Sequence, residues 1–166
     1  VRDSERLATA EQEGTGQIQN FLSRKAREHK IWLVGGTVPI SVQDGKKVRA
    51  SSILYDDKGM QVARYDKIHL FDVSLENGEK YDESSYIEHG QDIVVVDTPF
   101  GRLGMAVCYD LRFPELFRRM LDQGAEIFSV PSAFTEITGK AHWEVLVRAR
   151  AIENSCYVIA AAQGGY

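Results

Sequence analysis

Four short apolar runs constrain the fold of this chain more than any other feature of its sequence. They cover residues 31–38, 103–107, 126–130 and 156–162. All four are too short to span a membrane as a helix, and short apolar runs are typical of strands buried within a sheet. Segments with helical periodicity separate the last three runs. The sequence therefore predicts an α/β fold in which helices cover central strands.

Periodicity and turn residues set the order of all the elements. The predicted order is a helix over residues 14–30, strands over 31–38, 48–55 and 61–66, a loop over 70–90, strands over 93–97 and 102–107, a helix over 114–123, a strand over 126–130, a helix over 141–154 and a strand over 156–162. Asp44-Gly45 is a hairpin signal between the first two strands. The loop over 70–90 is polar and aperiodic, and such long loops in compact domains are usually functional.

Composition excludes several classes of protein. The 166 residues are 43% hydrophobic, which is enough for the core of a soluble domain. The net charge of −4 gives no electrostatic basis for binding nucleic acid or an anionic membrane. No signal peptide precedes the first helix, and two cysteines do not make a disulfide framework. We expect a cytoplasmic protein, with a secreted protein that holds one disulfide as the alternative.

Cys108 is the first candidate for chemistry because it ends an apolar strand. A tight polar turn follows it, and Pro114 then begins a helix. The N-terminus of a helix supplies N–H groups and a positive field, which lower the pKa of a thiol and stabilise an oxyanion. A buried core cysteine is an equally good interpretation of the residue taken alone. Cys156 begins an apolar strand, and we expect it to have a packing role.

A nucleophilic cysteine needs a base and a group that stabilises charge. His69 and His142 are possible bases, although neither spacing is diagnostic. Lys67 ends a strand beside apolar residues and could point into a cleft, where its ammonium would stabilise a tetrahedral oxyanion. Most lysines are solvated instead. By composition alone, Glu83 in the long loop is a surface acid. No pair of histidines or cysteines has metal-ligand spacing.

Five segments carry a resemblance to a known family. They are Tyr65–Asp72, Gly104–Glu115, Pro131–Phe134, Ala141–Glu144 and Arg148–Asn154. In this order, they resemble the nitrilase, or carbon–nitrogen hydrolase, superfamily. The residues of these segments are most similar to those of the Nit subgroup, which contains deaminated glutathione amidases and ω-amidases. The resemblance implies an α/β fold of the αββα sandwich type.

The resemblance also implies a catalytic set. By motif, Cys108 is the nucleophile, Lys67 the catalytic lysine and Glu83 the second glutamate, which positions groups around the lysine and the substrate. The Cys108 thiolate would attack an amide carbonyl, while Lys67 and the backbone N–H of Tyr109 hold the oxyanion. Ammonia would leave, and water would hydrolyse the thioester with a carboxylate as general base. No metal or organic cofactor is implied.

The implied substrate is a small amide that bears a carboxylate, as for deaminated glutathione amidase. Arg112 is a candidate partner for that carboxylate, and a structural ion pair with Glu115 or Asp110 is the alternative. Phe134 and Thr135 are expected to shape the pocket. An ω-amidase, or an enzyme that acts on carbamoyl or nitrile groups, stays open. So do a non-catalytic binding relative and a redox-sensing thiol protein.

The chain departs from the family pattern in one respect. The family's general-base glutamate belongs to a motif that would precede Val1, and neither Glu5, Glu11 nor Glu13 follows an apolar strand. We therefore expect residues 1–166 to be a partial domain, incomplete at both termini, with little amidase activity alone. The family also implies a homodimer or higher homo-oligomer, with contacts through residues 114–120 and 141–152.

Overall fold

The structure, a computed structural model, describes residues 7–43, 45–74, 78 and 80–164. The chain divides into two compact units, Val1–Asp92 and Ile93–Tyr166. Both combine helix and sheet, so the predicted α/β class is confirmed. In the described residues, no helix has the length and apolar character that crossing a membrane requires.

The first unit is built on an antiparallel sheet with a helix against it. Its elements are α1 (Gln17–His29), β1 (Leu33–Ser41), β2 (Val48–Tyr55), β3 (Gln61–Asp66), β4 (Asp72–Ser74), β5 (Lys80–Asp82) and a 3₁₀ turn (Glu83–Ser85). Strands β1, β2 and β3 form one sheet in that order, and β4 pairs with β5 in a small hairpin. The predicted strands 48–55 and 61–66 are thereby confirmed.

Strand β2 carries the core of the first unit. Its side chains are almost all buried, as expected for the middle strand of three. The prediction that the first apolar run is a central, fully buried strand is wrong, because β1 lies at the edge of this sheet and Thr37 is exposed. The register shifts between Gly35 and Val38, so the run contains a bulge that breaks the alternation.

Segment 70–90 is more ordered than predicted. Instead of one aperiodic loop it contains the β4–β5 hairpin and the 3₁₀ turn. The Ser84 N–H donates to the Asp72 carboxylate at 2.9 Å, which lowers the pKa of Asp72 and ties the turn to β4. Asp44 of the predicted Asp44-Gly45 turn lies outside the described residues.

Two of the N-terminal acids have structural roles. Partial burial would raise the pKa of Glu11, but hydrogen bonds outweigh this effect and lower it. The donors include the N–H groups of Ile18, at 2.6 Å, and Gln19, at 3.1 Å, so Glu11 caps the start of α1. Glu13 forms an ion pair with Arg64 at 2.8 Å.

The second unit is a mixed sheet with two crossover helices. Its elements are β6 (Val95–Thr98), β7 (Gly101–Met105), a 3₁₀ turn (Cys108–Arg112), α2 (Pro114–Asp122), β8 (Ile127–Ser129), α3 (Glu136–Asn154) and β9 (Tyr157–Ile159). The strand order is β6-β7-β8-β9, and the last three strands are parallel. Parallel neighbours need crossovers, which α2 and α3 supply. Helix α2 buries Leu116, Phe117 and Met120.

Two predicted elements of this unit need correction. Helix α3 begins at Glu136 rather than Ala141, because the Thr135 hydroxyl accepts the Thr138 N–H at 3.3 Å and caps the helix earlier. The last strand was predicted to be central and covered, but β9 is the edge strand of this sheet. Tyr157 and Ile159 are 78% and 59% exposed there.

Candidate active site

A buried ion pair stands at the end of β3. Lys67 is only 3% exposed, and its Nζ donates to Oε2 of Glu83, which is 8% exposed. The same oxygen accepts the N–H of Phe71 at 2.7 Å. A charge withdrawn from water in this way must be paired, and here it is. The composition-based readings of Lys67 as solvated and of Glu83 as a surface acid are therefore wrong.

Asp66, the residue before Lys67, is fixed by a polar network. Its carboxylate accepts Nε–H and Nη2–H of Arg64, at 2.8 and 3.0 Å, and the hydroxyl of Ser51 at 2.5 Å. Burial would lower the pKa of Arg64, but the contacts with Asp66 and Glu13 outweigh it and raise that pKa. The network holds the end of β3, and so the direction in which Lys67 leaves the strand.

Gly90 supports the same strand end from behind. Its N–H donates to the Lys67 carbonyl at 2.8 Å. A Cβ at Gly90 would overlap the Asp66 carbonyl oxygen, in a contact closer than side chains make. Only glycine allows the two backbones to approach in this way. Sequence reasoning missed Gly90, because nothing local to it indicates this contact.

Cys108 begins the 3₁₀ turn of the second unit in a strained backbone conformation. Its φ is 50°, in the left-handed region that residues other than glycine rarely occupy. Its N–H donates to the Pro131 carbonyl at 3.0 Å. The fully buried Asp110 accepts the Val107 N–H at 2.9 Å and closes the turn. The predicted tight turn and the helix start at Pro114 are both confirmed.

Strain of this kind persists only where surrounding contacts enforce it, and it clusters at functional sites. A sharp turn between a strand and a helix is also how α/β-hydrolases expose a nucleophile. Cys108 is half-buried, so its thiol is neither a core group nor fully solvated. The Cys156 thiol donates to the Ala125 carbonyl at 3.2 Å, and burial raises its pKa.

Arg112, at the end of the turn, lies among aromatic rings. Its guanidinium carbon is 5.8 Å from the ring centroid of Tyr109 and 5.6 Å from that of Phe134. Nη1 and Nη2 each lie 3.3 Å from Nδ1 of His142. In the part of the chain that the structure describes, no carboxylate forms an ion pair with Arg112. The alternative pairing with Glu115 or Asp110 is therefore not what the structure shows.

The predicted site residues thus fall into two groups. Lys67 and Glu83 are paired in the first unit. The second unit brings Tyr109, Arg112 and Phe134 together beside Cys108. Thr135 stands apart from them in role, because its hydroxyl caps α3.

Comparison with known proteins identifies what the chain resembles. A family model described as carbon-nitrogen hydrolase matches residues 2–166. The deaminated glutathione amidase of Yersinia enterocolitica is 51% identical over 158 residues, which is 94% of this chain and 55% of that protein. Omega-amidase NIT3 of Saccharomyces cerevisiae is 40% identical over 139 residues, or 84% of this chain and 48% of that protein. The chain spans about half the length of these curated relatives.

Solved structures agree in fold. The Caenorhabditis elegans NitFhit protein matches with a TM-score of 0.87 and 40% identity, over 100% of this chain and 40% of that one. Saccharomyces cerevisiae Nit3, a member of branch 10 of the nitrilase superfamily, matches with a TM-score of 0.85 and 31% identity, over 98% of this chain and 58% of that one. The expected nitrilase-type fold is confirmed.

The contact between Gly90 and Asp66 gives a prediction about stability. Gly90→Ala should lower the free energy of unfolding by about 1–3 kcal/mol, the usual cost of overpacking, because backbone must move to admit the Cβ. Chemical denaturation measures this change. Gly139→Ala in α3 is the control, since a Cβ there would meet only Phe134 Cβ at 3.6 Å. It should raise stability by about 0.5–1 kcal/mol. Equal stability of Gly90→Ala and wild type would contradict the contact.

Proposed function

The chain belongs to the carbon-nitrogen hydrolase family, and from this membership we propose that it supplies the cysteine nucleophile, the lysine and one glutamate of an amidase. The observation that carries the proposal is Cys108, held at a φ of 50° where a strand passes into a helix. The buried pair of Lys67 and Glu83 supports it, because a desolvated ammonium is suited to stabilise an oxyanion.

The proposed reaction has two halves. The Cys108 sulfur attacks the amide carbonyl carbon, and the thiol proton passes to a general-base carboxylate. The Lys67 ammonium and the Tyr109 N–H stabilise the resulting oxyanion. The C–N bond then breaks, and the leaving nitrogen takes the proton and departs as ammonia. Water next attacks the thioester with the carboxylate as base, which releases the acid and restores the thiol.

Glu83 serves this reaction as a positioning group. Oε2 of Glu83 accepts hydrogen bonds from both the Lys67 ammonium and the Phe71 N–H. The carboxylate charge is therefore paired with the lysine and holds it in place. Glu11 and Glu13 are engaged as a helix cap and an ion pair. Following the family pattern, we propose that the general base is a carboxylate outside residues 1–166.

The proposed substrate is a small amide with a carboxylate, of the deaminated glutathione type. Arg112 supports this substrate, because the contacts of its guanidinium with described residues are to Nδ1 of His142 and to the rings of Tyr109 and Phe134. A charged guanidinium of this kind is suited to bind a carboxylate. Phe134 and the rings beside it would form the apolar wall. An ω-amidase is the second candidate, favoured by the relative of that name.

Self-association and location are further proposals. We propose a homo-oligomer that uses α3, because Val145 and Ile152 are 67% and 72% exposed one heptad apart, beside the oppositely charged Arg148 and Glu144. An antiparallel second copy of α3 would match both the apolar and the charged side chains.

The free thiols fit a reducing, cytoplasmic setting.

Sedimentation velocity of the complete protein tests the self-association. Val145→Glu should shift the particle toward the monomer, because it places a charge in the proposed contact. Lys140→Glu, on an exposed part of the same helix away from Val145 and Ile152, is the control. A wild-type monomer at micromolar concentration would contradict the proposal.

Loss of the catalytic groups should abolish amide hydrolysis. In the complete protein, Cys108→Ala should lower kcat by at least about 10³-fold, and Lys67→Arg by about 10²-fold, because the larger fork misplaces the charge. Ammonia release with a deaminated glutathione substrate measures both, and circular dichroism checks folding. Cys156→Ala is the matched control and should keep its activity. Normal ammonia release by a folded Cys108→Ala variant would contradict the assigned nucleophile. Wild-type protein that binds the amide without releasing ammonia would favour a binding protein, and reversible Cys108 oxidation without hydrolysis a redox sensor.

Arg112 should govern affinity for the carboxylate. Arg112→Gln should raise KM for carboxylate-bearing ω-amides by about 10- to 100-fold, the equivalent of one charge-assisted hydrogen bond, with little effect on a neutral amide. Steady-state kinetics on the two substrates measures the split, and Arg118→Gln on the exposed face of α2 is the control. An equal effect on both substrates would refute the assignment.

A further inference from the structure

Arg150 reaches the turn that carries Cys108 from α3. It is 5% exposed, and its Nε–H donates to the Leu111 carbonyl at 3.0 Å. Leu111 is fully buried and belongs to the same 3₁₀ turn, Cys108–Arg112. This hydrogen bond ties α3 to the backbone of the turn.

The guanidinium that makes this contact is itself held on several sides. Nη1–H donates to Glu153 at 2.7 Å, and the guanidinium carbon lies 5.5 Å from the ring centroid of Phe117. The fork therefore has one orientation, with Nε directed at the turn.

The turn has a fastening at each end. On its N-terminal side, the Cys108 N–H is bonded to Pro131, and Asp110 closes the turn against Val107. On its C-terminal side, Leu111 is bonded to Arg150. A left-handed residue other than glycine returns to an ordinary conformation unless its neighbours prevent it. These contacts hold the backbone on both sides of the turn in which Cys108 has a φ of 50°.

We propose that Arg150 is a positioning residue for Cys108. It touches neither the thiol nor the substrate, and it acts by fixing the Leu111 carbonyl so that the turn presents the thiol in one direction. A neutral donor would satisfy that carbonyl, and burying a guanidinium is costly. The planar fork of Arg150 donates to Leu111 from Nε and to Glu153 from Nη1, two fixed positions that the single nitrogen of a lysine does not reproduce. This inference rests on the proposed function of Cys108.

The test uses Arg150→Lys and Arg150→Gln in the complete protein. Misplacement of a reacting group by about 1 Å costs about 10²-fold in rate. Arg150→Gln should therefore lower kcat by about 10²-fold, with KM within twofold of wild type. The kcat of Arg150→Lys should lie between those of wild type and Arg150→Gln. The rate of Cys108 alkylation by iodoacetamide, measured in a Cys156→Ala background, should fall in parallel, because it depends on presentation of the thiol and not on turnover.

The control is Lys140→Gln, which lies on the same helix outside the proposed self-association contact and pairs with Glu136 in solvent. It should change neither rate. A purely structural role predicts a lower melting temperature with kcat and alkylation unchanged per folded molecule, and that result overturns the proposal. If Arg150→Gln fails to fold, Arg150→Lys decides by the same two rates. Cys108→Ala separates the proposed function from the positioning role. Amide hydrolysis by Cys108→Ala would contradict the proposed function. An inactive Cys108→Ala, together with Arg150 variants that have normal kcat and alkylation rates, would contradict only the positioning role.

Discussion

The buried ion pair between Lys67 and Glu83 is the interaction on which the first unit's site depends. Removing one partner of such a pair commonly costs about 3–5 kcal/mol, because it leaves a charge uncompensated out of water. The pair joins the end of β3 to the 3₁₀ turn after the β4–β5 hairpin. It therefore ties the 3₁₀ turn to the end of β3, and the Asp66 network and Gly90 fix the strand from which Lys67 leaves.

In the second unit, buried polar contacts hold the backbone around Cys108 in place. The position of Cys108 depends on a backbone held at a φ of 50°, which would otherwise relax. Asp110 and Pro131 fix one end of the turn and Arg150 the other, all through hydrogen bonds of about 3 Å. In each unit a residue proposed for chemistry is thus held by buried polar contacts that the surrounding elements supply.

The sequence predicted those elements and candidate residues that depend on local patterns of residues. Helix α1 and strands β2 and β3 follow from periodicity and turns, and motif resemblance pointed to Lys67, Glu83 and Cys108. Burial that depends on distant partners was not predictable in this way. Nothing near Glu83 shows that Lys67 will pair with it, and nothing near Arg150 points to the Leu111 carbonyl. The exposed side of β9 depends on sheet order, whereas the cap at Thr135 was a local signal that went unused.

Trapping the covalent intermediate tests the central claim most directly. The complete protein is mixed with a carboxylate-bearing amide, quenched in acid within one turnover, digested and analysed by mass spectrometry. If Cys108 is the nucleophile, the peptide that contains Cys108 will carry the acyl group of the substrate. The mass of that peptide will then increase by the mass of the amide minus the mass of ammonia. Turnover without this adduct, or with the acyl group on Cys156, would contradict it.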